Sequence, residues 1–566
     1  MAQIPPGRPS GPIVPQGSPI PRILPATPPN VAPAPQLPSL PPPGAEVPNR
    51  PVLVSSVAVE GVTAYPPGHF AGDIRGLTGP AVPLPRIDAA RQAILQQYRA
   101  DGYILTTVSA SIGAGGKLRF IVTEGHIASV KLDGDIGPAG TQVLRFLHRL
   151  TEHTPINAAT LERYLLLAQD VPGISLRAVL EPSADEPGAV NLIAQVKRKA
   201  VAGLLTFDNR AFEQTGPIEG LGVLDFNSFS EFGEKTEISW YHTFPNSQNF
   251  GELSEEAFLG GSGLKLRVYA GTGLAIPTGG GNGGLALLDY HGRTSVFGGT
   301  LTYPVIRSRQ QTLNVYGSMD AIESEIRTNT AGGLSRASYD SLRVLRLGED
   351  YARSDILLGA ERTAVNAVSF RVSHGLHALG AESNDQNGSR LAPRTNEKTD
   401  FTKVNFEVSR TQTLFSPWQG ASVALMGLIA GQWSGDILPP AEQFYLGGSR
   451  LARGYYAGQV AGDKALAGTV ELQLNTGWDL SKWHLPKDLA TQFYLFYDWG
   501  ETWQNAVDIA PEMLNSVGGG VRTQVTSHVE VDLEALGRFN RYPNGGPPNV
   551  SALNGIGLYW RVLGRF

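Results

Sequence analysis

Between Phe444 and Asp463 the chain reads FYLGGSRLARGYYAGQVAGD, and the residue there with the most chemistry to offer is Arg453. A guanidinium is a planar, permanently charged fork of donors suited to gripping a carboxylate through two bonds at once. Downstream, TVELQLN carries Glu471 and TQFYLFYDWG carries Asp498. In both stretches the apolar residues alternate: Val470, Leu472 and Leu474 in the first, Phe493, Leu495 and Tyr497 in the second. Alternation places those side chains on one face of a strand, so Glu471, Gln473, Phe496, Asp498 and Gly500 share the other. Two acids then line one surface just downstream of a glycine-rich loop that holds an arginine. The chemistry on offer is a bidentate ion pair tying the loop to that surface. An arginine exposed on an isolated loop is the alternative, and these residues alone leave it open.

Chemistry of other kinds finds little support. The 10 His are scattered without metal-ligand spacing, no nucleophile elbow occurs, and the chain has 0 Cys, so disulfides, thiol nucleophiles and thiolate metal sites are absent. TGGGNGG (Thr278 to Gly284) lacks the Gly-Lys-Ser/Thr ending of a phosphate-binding loop and reads as an ordinary loop, as does the acidic pair Glu255-Glu256. A formal net charge of -5 argues against a nucleic-acid partner, which calls for a basic face. No catalytic residue, metal or cofactor is expected.

The elements that must position Arg453 and the acids are strands. After Lys199, segments of about ten residues with period 2 follow one another, separated by Gly, Asn and Asp. LKLRVYAG sets Leu264, Leu266 and Val268 against Lys265 and Arg267. The terminal GIGLYWRVLGRF sets Ile556, Leu558, Trp560, Val562 and Phe566 against Tyr559, Arg561 and Arg565. A membrane β-barrel requires this alternation, apolar toward lipid and polar toward the lumen, because only closure satisfies every backbone group in hydrocarbon. The segment from 200 to 566 supplies about sixteen such strands. The longest apolar run, Ala421 to Gly431, is too short for a spanning helix, which needs about 20 residues. A soluble sandwich or propeller is the alternative, and Trp560 and Phe566 on the outer face of a terminal strand count against it.

The N-terminal third is organised differently. Residues 1–51 hold 17 of the chain's 41 prolines by position 50 and read as an extended, disordered, Pro-rich arm. No charged and apolar leader opens the chain, and the initial MAQ is compatible with a mature terminus from which a signal peptide was removed. Residues 52–124 and 125–199 read as two copies of a β-α-α-β-β unit. In the first, VLVSSVAVEGV is a strand, Ala90, Ile94 and Tyr98 share a helical face, and YILTTVSASI and LRFIVTEG are strands. In the second, helices lie around TQVLRFLHRL and LERYLLLAQDVPG, followed by the strands ISLRAVLEP and AVNLIAQVKRK.

Taken together, Arg453-Gly454-Tyr455 with upstream Phe444, Gly447 and Gly448 and downstream Gly462-Asp463, the strand pattern Phe496-x-Asp498-x-Gly500, and FDNRAFEQTG (Phe207 to Gly216) resemble the outer-membrane transporters of two-partner secretion. These export filamentous haemagglutinins and haemolysins and belong to the wider superfamily of outer-membrane assembly barrels. The resemblance spans Val52 to Phe566. It implies a transmembrane all-β fold of about sixteen strands behind two periplasmic α+β POTRA domains, with Trp560 and Phe566 as the C-terminal barrel signal. It also implies a loop tucked into the lumen, with Arg453 bonded to Asp498 and beside Glu471. The expected partners are a secreted protein whose N-terminal secretion domain is captured by the POTRA units, the bilayer, and the barrel-assembly machinery. The function implied is nucleotide-free export of a large, β-helical protein. An assembly or insertase role in the same superfamily is the alternative, and a diffusion porin or receptor a more distant one. Two departures stand out: Leu451-Ala452 replaces the usual Val or Ser-Val before the arginine, and the proline spacing of the arm opposes the amphipathic plug helix that relatives often carry.

Overall fold

The computed structural model describes residues 18–23, 29–32, 49–183, 186–244, 246–278, 289–330, 332–478, 489–506, 509–543 and 552–566. Most of the Pro-rich arm and of Thr278 to Gly284 lies outside them.

In the first unit, helix Leu84–Ala100 buries Ile87, Ala90, Ile94 and Tyr98, the i, i+3, i+4 spacing of a single apolar stripe. It packs on a sheet of Ser56–Glu60, Lys117–Thr123 and Thr107–Gly113, with Lys117–Thr123 central. The expected two-helix pattern needs correction here. Pro66, Pro67 and Gly68 reduce the first helix to one 3-10 turn, His69–Ala71, because prolines cannot donate to a helical ladder. Pro51–Val54 pairs instead with Gly79–Pro83, and the strand expected from Tyr103 starts at Thr107. The second unit carries both helices, Ala139–Leu147 and Ala158–Gln169, the latter capped by the Asn157 side chain. They cover the sheet of His126–Asp133, Ala189–Arg198 and Ile174–Pro182.

Sixteen strands, from Val201–Asp208 to Ile556–Arg565, close into one antiparallel barrel. Closure pairs Leu204 to Asp208 with Arg565 to Arg561, and Gly203 exchanges two backbone bonds with Phe566. The Phe566 ring covers Gly203, where any Cβ would sit 2.1 Å from the ring. Trp560 receives a continuation of this seam, since its backbone N–H donates to the Asn209 side chain at 2.9 Å. Leu205, Trp240, Phe297, Leu347, Trp433, Leu495, Leu558 and Phe566 stand exposed on the outer face, the apolar belt that a bilayer requires. Gln311–Thr330 and Gly333–Asp355 have 20 and 23 residues, twice what a span needs, so this hairpin rises beyond the membrane. Glu255 and Glu256 belong to strand Gln248–Phe258 and not to a loop; at its end nearest the second unit Glu256 meets Lys265 at 3.0 Å.

The second unit is bolted to the near rim of the barrel. Asp170 accepts two bonds from Arg307 at 2.7 and 2.8 Å, Arg163 donates to the Pro304 carbonyl at 2.8 Å, and Phe146 meets Phe258 edge-on at 5.1 Å. A cavity of about 1260 Å³ runs upward from Leu167 and Asp170 of this unit to Arg453.

Within the arm, Ile20–Ile23 forms one helical turn inside the barrel, where Ile20 and Ile23 are buried against Leu221, Tyr241, Phe250 and Ile322. The arm is expected to be extended, with a proline spacing that opposes a plug helix, and these four residues depart from that by a single helical turn. Pro21 falls in the first turn of the helix, where its missing N–H has no partner to lose.

Candidate functional site: an arginine loop inside the barrel

The chain enters the barrel from the second unit at Val201, so odd-numbered strands run away from it. Ser422–Ser434 is the eleventh, and its connection to Lys464–Trp478 therefore emerges at the far rim. That connection holds a two-stranded ribbon, Phe444–Leu446 against Val460–Gly462, and its tip, residues 447 to 459, turns back into the lumen. The reversal depends on backbone that side chains tolerate poorly: Gly447 and Gly448 have φ of 103° and 107°, and a Cβ on Gly447 would lie 2.0 Å from the Tyr456 carbonyl oxygen.

Arg453 is 4% exposed and Asp498 not at all. The Arg453 Nε and Nη2 donate to the two Asp498 oxygens at 3.0 and 2.9 Å, Nη2 also donates to Thr469 Oγ1 at 2.7 Å, and Nη1 donates to Glu471. The Arg453 backbone N–H adds a bond to Asp498 at 2.7 Å. Below the guanidinium lies the Phe496 ring, 3.7 Å from carbon to centroid, a cation–π contact in a desolvated setting. Glu471 is shared with Arg522, whose Nη1 donates at 2.9 Å. The strand pattern thus divides into three tasks: Phe496 stacks, Asp498 pairs, and Gly500 leaves room for Leu446, which a Cβ would meet at 2.9 Å.

The neighbours of Arg453 complete the seat. Gly454 packs on Ser516, where a Cβ would lie 2.5 Å away, and its N–H donates to Ser516 Oγ at 3.2 Å. Tyr455 is fully buried with its hydroxyl 2.9 Å from the carbonyls of Asn515 and Asn540. Asp463 accepts from both Nη atoms of Arg394, at 2.6 and 3.0 Å, which ties the ribbon to the neighbouring connection. Trp560 and Phe566 lie on the outer face of the last strand, away from this site.

Sequence reasoning missed Arg210. It stands in FDNRAFEQTG, just after the first strand, and reaches the loop from the opposite side. Its Nη1 donates to the carbonyls of Gly448 and Arg453 at 3.2 and 3.0 Å, Nη2 pairs with Glu534, and the Tyr559 ring lies 4.1 Å away. Its proximity to Asp208 in the motif was the available signal, but 243 residues separate it from Arg453. Among the described residues no cluster of His, Cys, Asp and Glu could hold a metal ion, and no helix is long and apolar enough to cross a membrane.

A closed sixteen-stranded barrel with a lipid-facing belt, an inserted arginine loop and two α+β units at one rim defines an outer-membrane transporter with periplasmic POTRA domains. Residues 282–523 match the family model of haemolysin secretion/activation proteins ShlB/FhaC/HecB, and residues 52–125 match that of the ShlB-type POTRA domain. The two matches cover more than half of the chain, which belongs to this family, the outer-membrane transporters of two-partner secretion. Among solved structures, the fold is similar to CdiB from Escherichia coli, with TM-score 0.70 and 19% identity over 93% of each chain. CdiB from Acinetobacter baumannii gives 0.62 and 16%, over 91% of this chain and 90% of that one. BamA from Haemophilus ducreyi lacking POTRA domains 1-3 gives 0.51 and 12%, over 91% of this chain and all of that one. No curated protein matches significantly in sequence.

Proposed function

We propose that the barrel exports a large, β-helical partner protein from periplasm to cell surface without nucleotide, and that the POTRA units capture an N-terminal secretion domain of that partner in its unfolded state. The observation that carries this reading is the cavity that opens beside Leu167 and Asp170 of the second unit and leads up to the arginine loop. The three-stranded sheets of the two units end in outer strands such as Thr107–Gly113 and Ile174–Pro182, and an edge of that kind can accept an added strand from an extended chain. Folding of a β-helix on the far side supplies a thermodynamic drive for which no nucleotide is needed. Seating of the loop by Arg453, Gly454, Tyr455 and Asp498 is proposed to hold the barrel in its export-competent form, and the barrel itself to be inserted by the assembly machinery.

The likeness to BamA favours a second reading, an insertase for other barrels. The test is to delete the chain in its host and measure both the large proteins released into the medium and the abundance of other outer-membrane barrels. Loss of one large secreted protein from the medium at unchanged barrel levels is the expected result. Normal secretion with depleted barrels would establish the insertase instead.

A further inference from the structure

A barrel lumen ordinarily presents polar side chains to water. Here a continuous apolar belt crosses it, against the expectation of a uniformly polar interior. Leu221 pairs in register with Tyr241 and Tyr241 with Phe250; further round, Val296 pairs with Ile322 and Ile322 with Leu342. Between the two groups runs the strand of Gly271 and Gly273, which face Val296 and Phe250. The Phe250 ring spreads over both glycines, where a Cβ would lie 2.8 and 2.6 Å from it. Register pairing links these residues across seven consecutive strands into one cluster, and the six named side chains are buried. Together with Phe401 and Leu438 from the far-rim connections, Ile20 and Ile23 of the arm are buried in this cluster. Pro21 beside them lines the cavity that opens toward the POTRA units.

We infer that this belt is a binding subsite for aliphatic side chains of an extended polypeptide in transit, and that the Ile20-Pro-Arg-Ile23 turn is its resident surrogate. The inference rests on the transport reading above and adds the chemistry of the path. Residues three apart on a helical turn stand about 5–6 Å apart. Alternate residues of a strand stand about 6.6–6.8 Å apart on one face. The stretch of belt that accepts Ile20 and Ile23 therefore fits two alternate aliphatic residues of a β-forming segment, the pattern a β-helical passenger repeats. The belt side chains themselves carry no charge and accept an aliphatic pair without breaking an ion pair, whereas the ion-paired wall near Arg453 and Arg522 would have to release water and salt bridges first.

The experiment uses the purified full chain in planar lipid bilayers, with a synthetic peptide of alternating valine and serine added on the POTRA side and a glycine–serine peptide of equal length as control. Wild type is blocked weakly by the valine peptide, because the arm competes. Ile20→Ser/Ile23→Ser raises the open conductance and is blocked at roughly tenfold lower peptide concentration, the competing occupant having been removed. Ile322→Ser/Leu342→Ser loses the valine-specific block; Val296→Thr, nearly isosteric, provides the same reading with weaker effect should the double variant fail to form a heat-modifiable barrel. Equal block by both peptides, or an unchanged valine block in the belt variants, overturns the subsite. Secretion of the partner is measured separately in cells. A valine-specific block in a chain that exports nothing leaves the subsite standing and removes the transport reading, while normal export without that block does the reverse.

Discussion

Arg453→Ala removes the guanidinium and leaves the loop backbone intact, and the structure says which acid is stranded. Glu471 keeps Arg522 at 2.9 Å and the Gln473 side chain at 2.8 Å. Asp498 keeps only neutral donors, the residue 453 backbone N–H at 2.7 Å and the Thr469 hydroxyl at 2.5 Å. Breaking a buried pair by removing one member costs about 3–5 kcal/mol, and the two surviving donors place this case near the lower end. At 1.4 kcal/mol per tenfold, about 3 kcal/mol shifts the seated-to-released ratio of the loop on the order of a hundredfold. Asp498→Ala is milder, because Arg453 retains Glu471, Thr469 and the Phe496 ring. The double substitution should resemble Arg453→Ala, since the lost interactions are shared and not additive. Strand pairing and the lipid-facing belt do not involve the pair, so barrels should remain heat-modifiable and membrane-inserted. The assay is trypsin added to intact cells, read as cleavage after Arg450, which the lumen shields while the loop is seated, together with the amount of partner in the medium. Cleavage and loss of export should follow the order Arg453→Ala, then Asp498→Ala, then wild type. An Arg453→Ala loop as resistant as wild type, with normal export at normal barrel abundance, would refute the reasoning.

Two further outcomes are expected. Gly454→Ala forces a Cβ to within 2.5 Å of Ser516 and should unseat the loop as fully as Arg453→Ala despite keeping every charge, which trypsin cleavage after Arg450 would again report. In the first POTRA unit, burial works against the Glu124 carboxylate, but hydrogen bonds from Thr63, Tyr98 and the Ala64 backbone hold its pKa below the usual value. A depressed carboxylate pKa gives stability that is present above the unfolded value of about 4.3 and lost as pH falls through the folded one. Melting of the 52–199 fragment should therefore weaken below about pH 4, and Glu124→Gln should cost about 1–2 kcal/mol at pH 7, discounted for partial exposure, while flattening that acid dependence. An unchanged acid limb in Glu124→Gln would assign the loss to other carboxylates.

Period 2 alone determined a great deal about this chain. Alternation in TQFYLFYDWG decides that Phe493, Leu495 and Tyr497 meet lipid, and Asp498 therefore has to face inward; the same rule orients the final strand from Ile556 to Phe566. Helical spacing in the same way marked Ala90, Ile94 and Tyr98 as a buried stripe. What a two-residue or four-residue period cannot carry is any contact between residues far apart in sequence. Whether the loop of Arg453 turns outward or into the lumen was decided by the left-handed glycines, by the space Gly500 leaves for Leu446, and by Arg210, which joins Glu534 from 324 residues away. The lodging of Ile20 and Ile23 on a belt assembled from seven strands was decided in the same way. Leu221, Phe250 and Ile322 lie far apart in sequence, and only strand pairing in the closed barrel joins them into one surface.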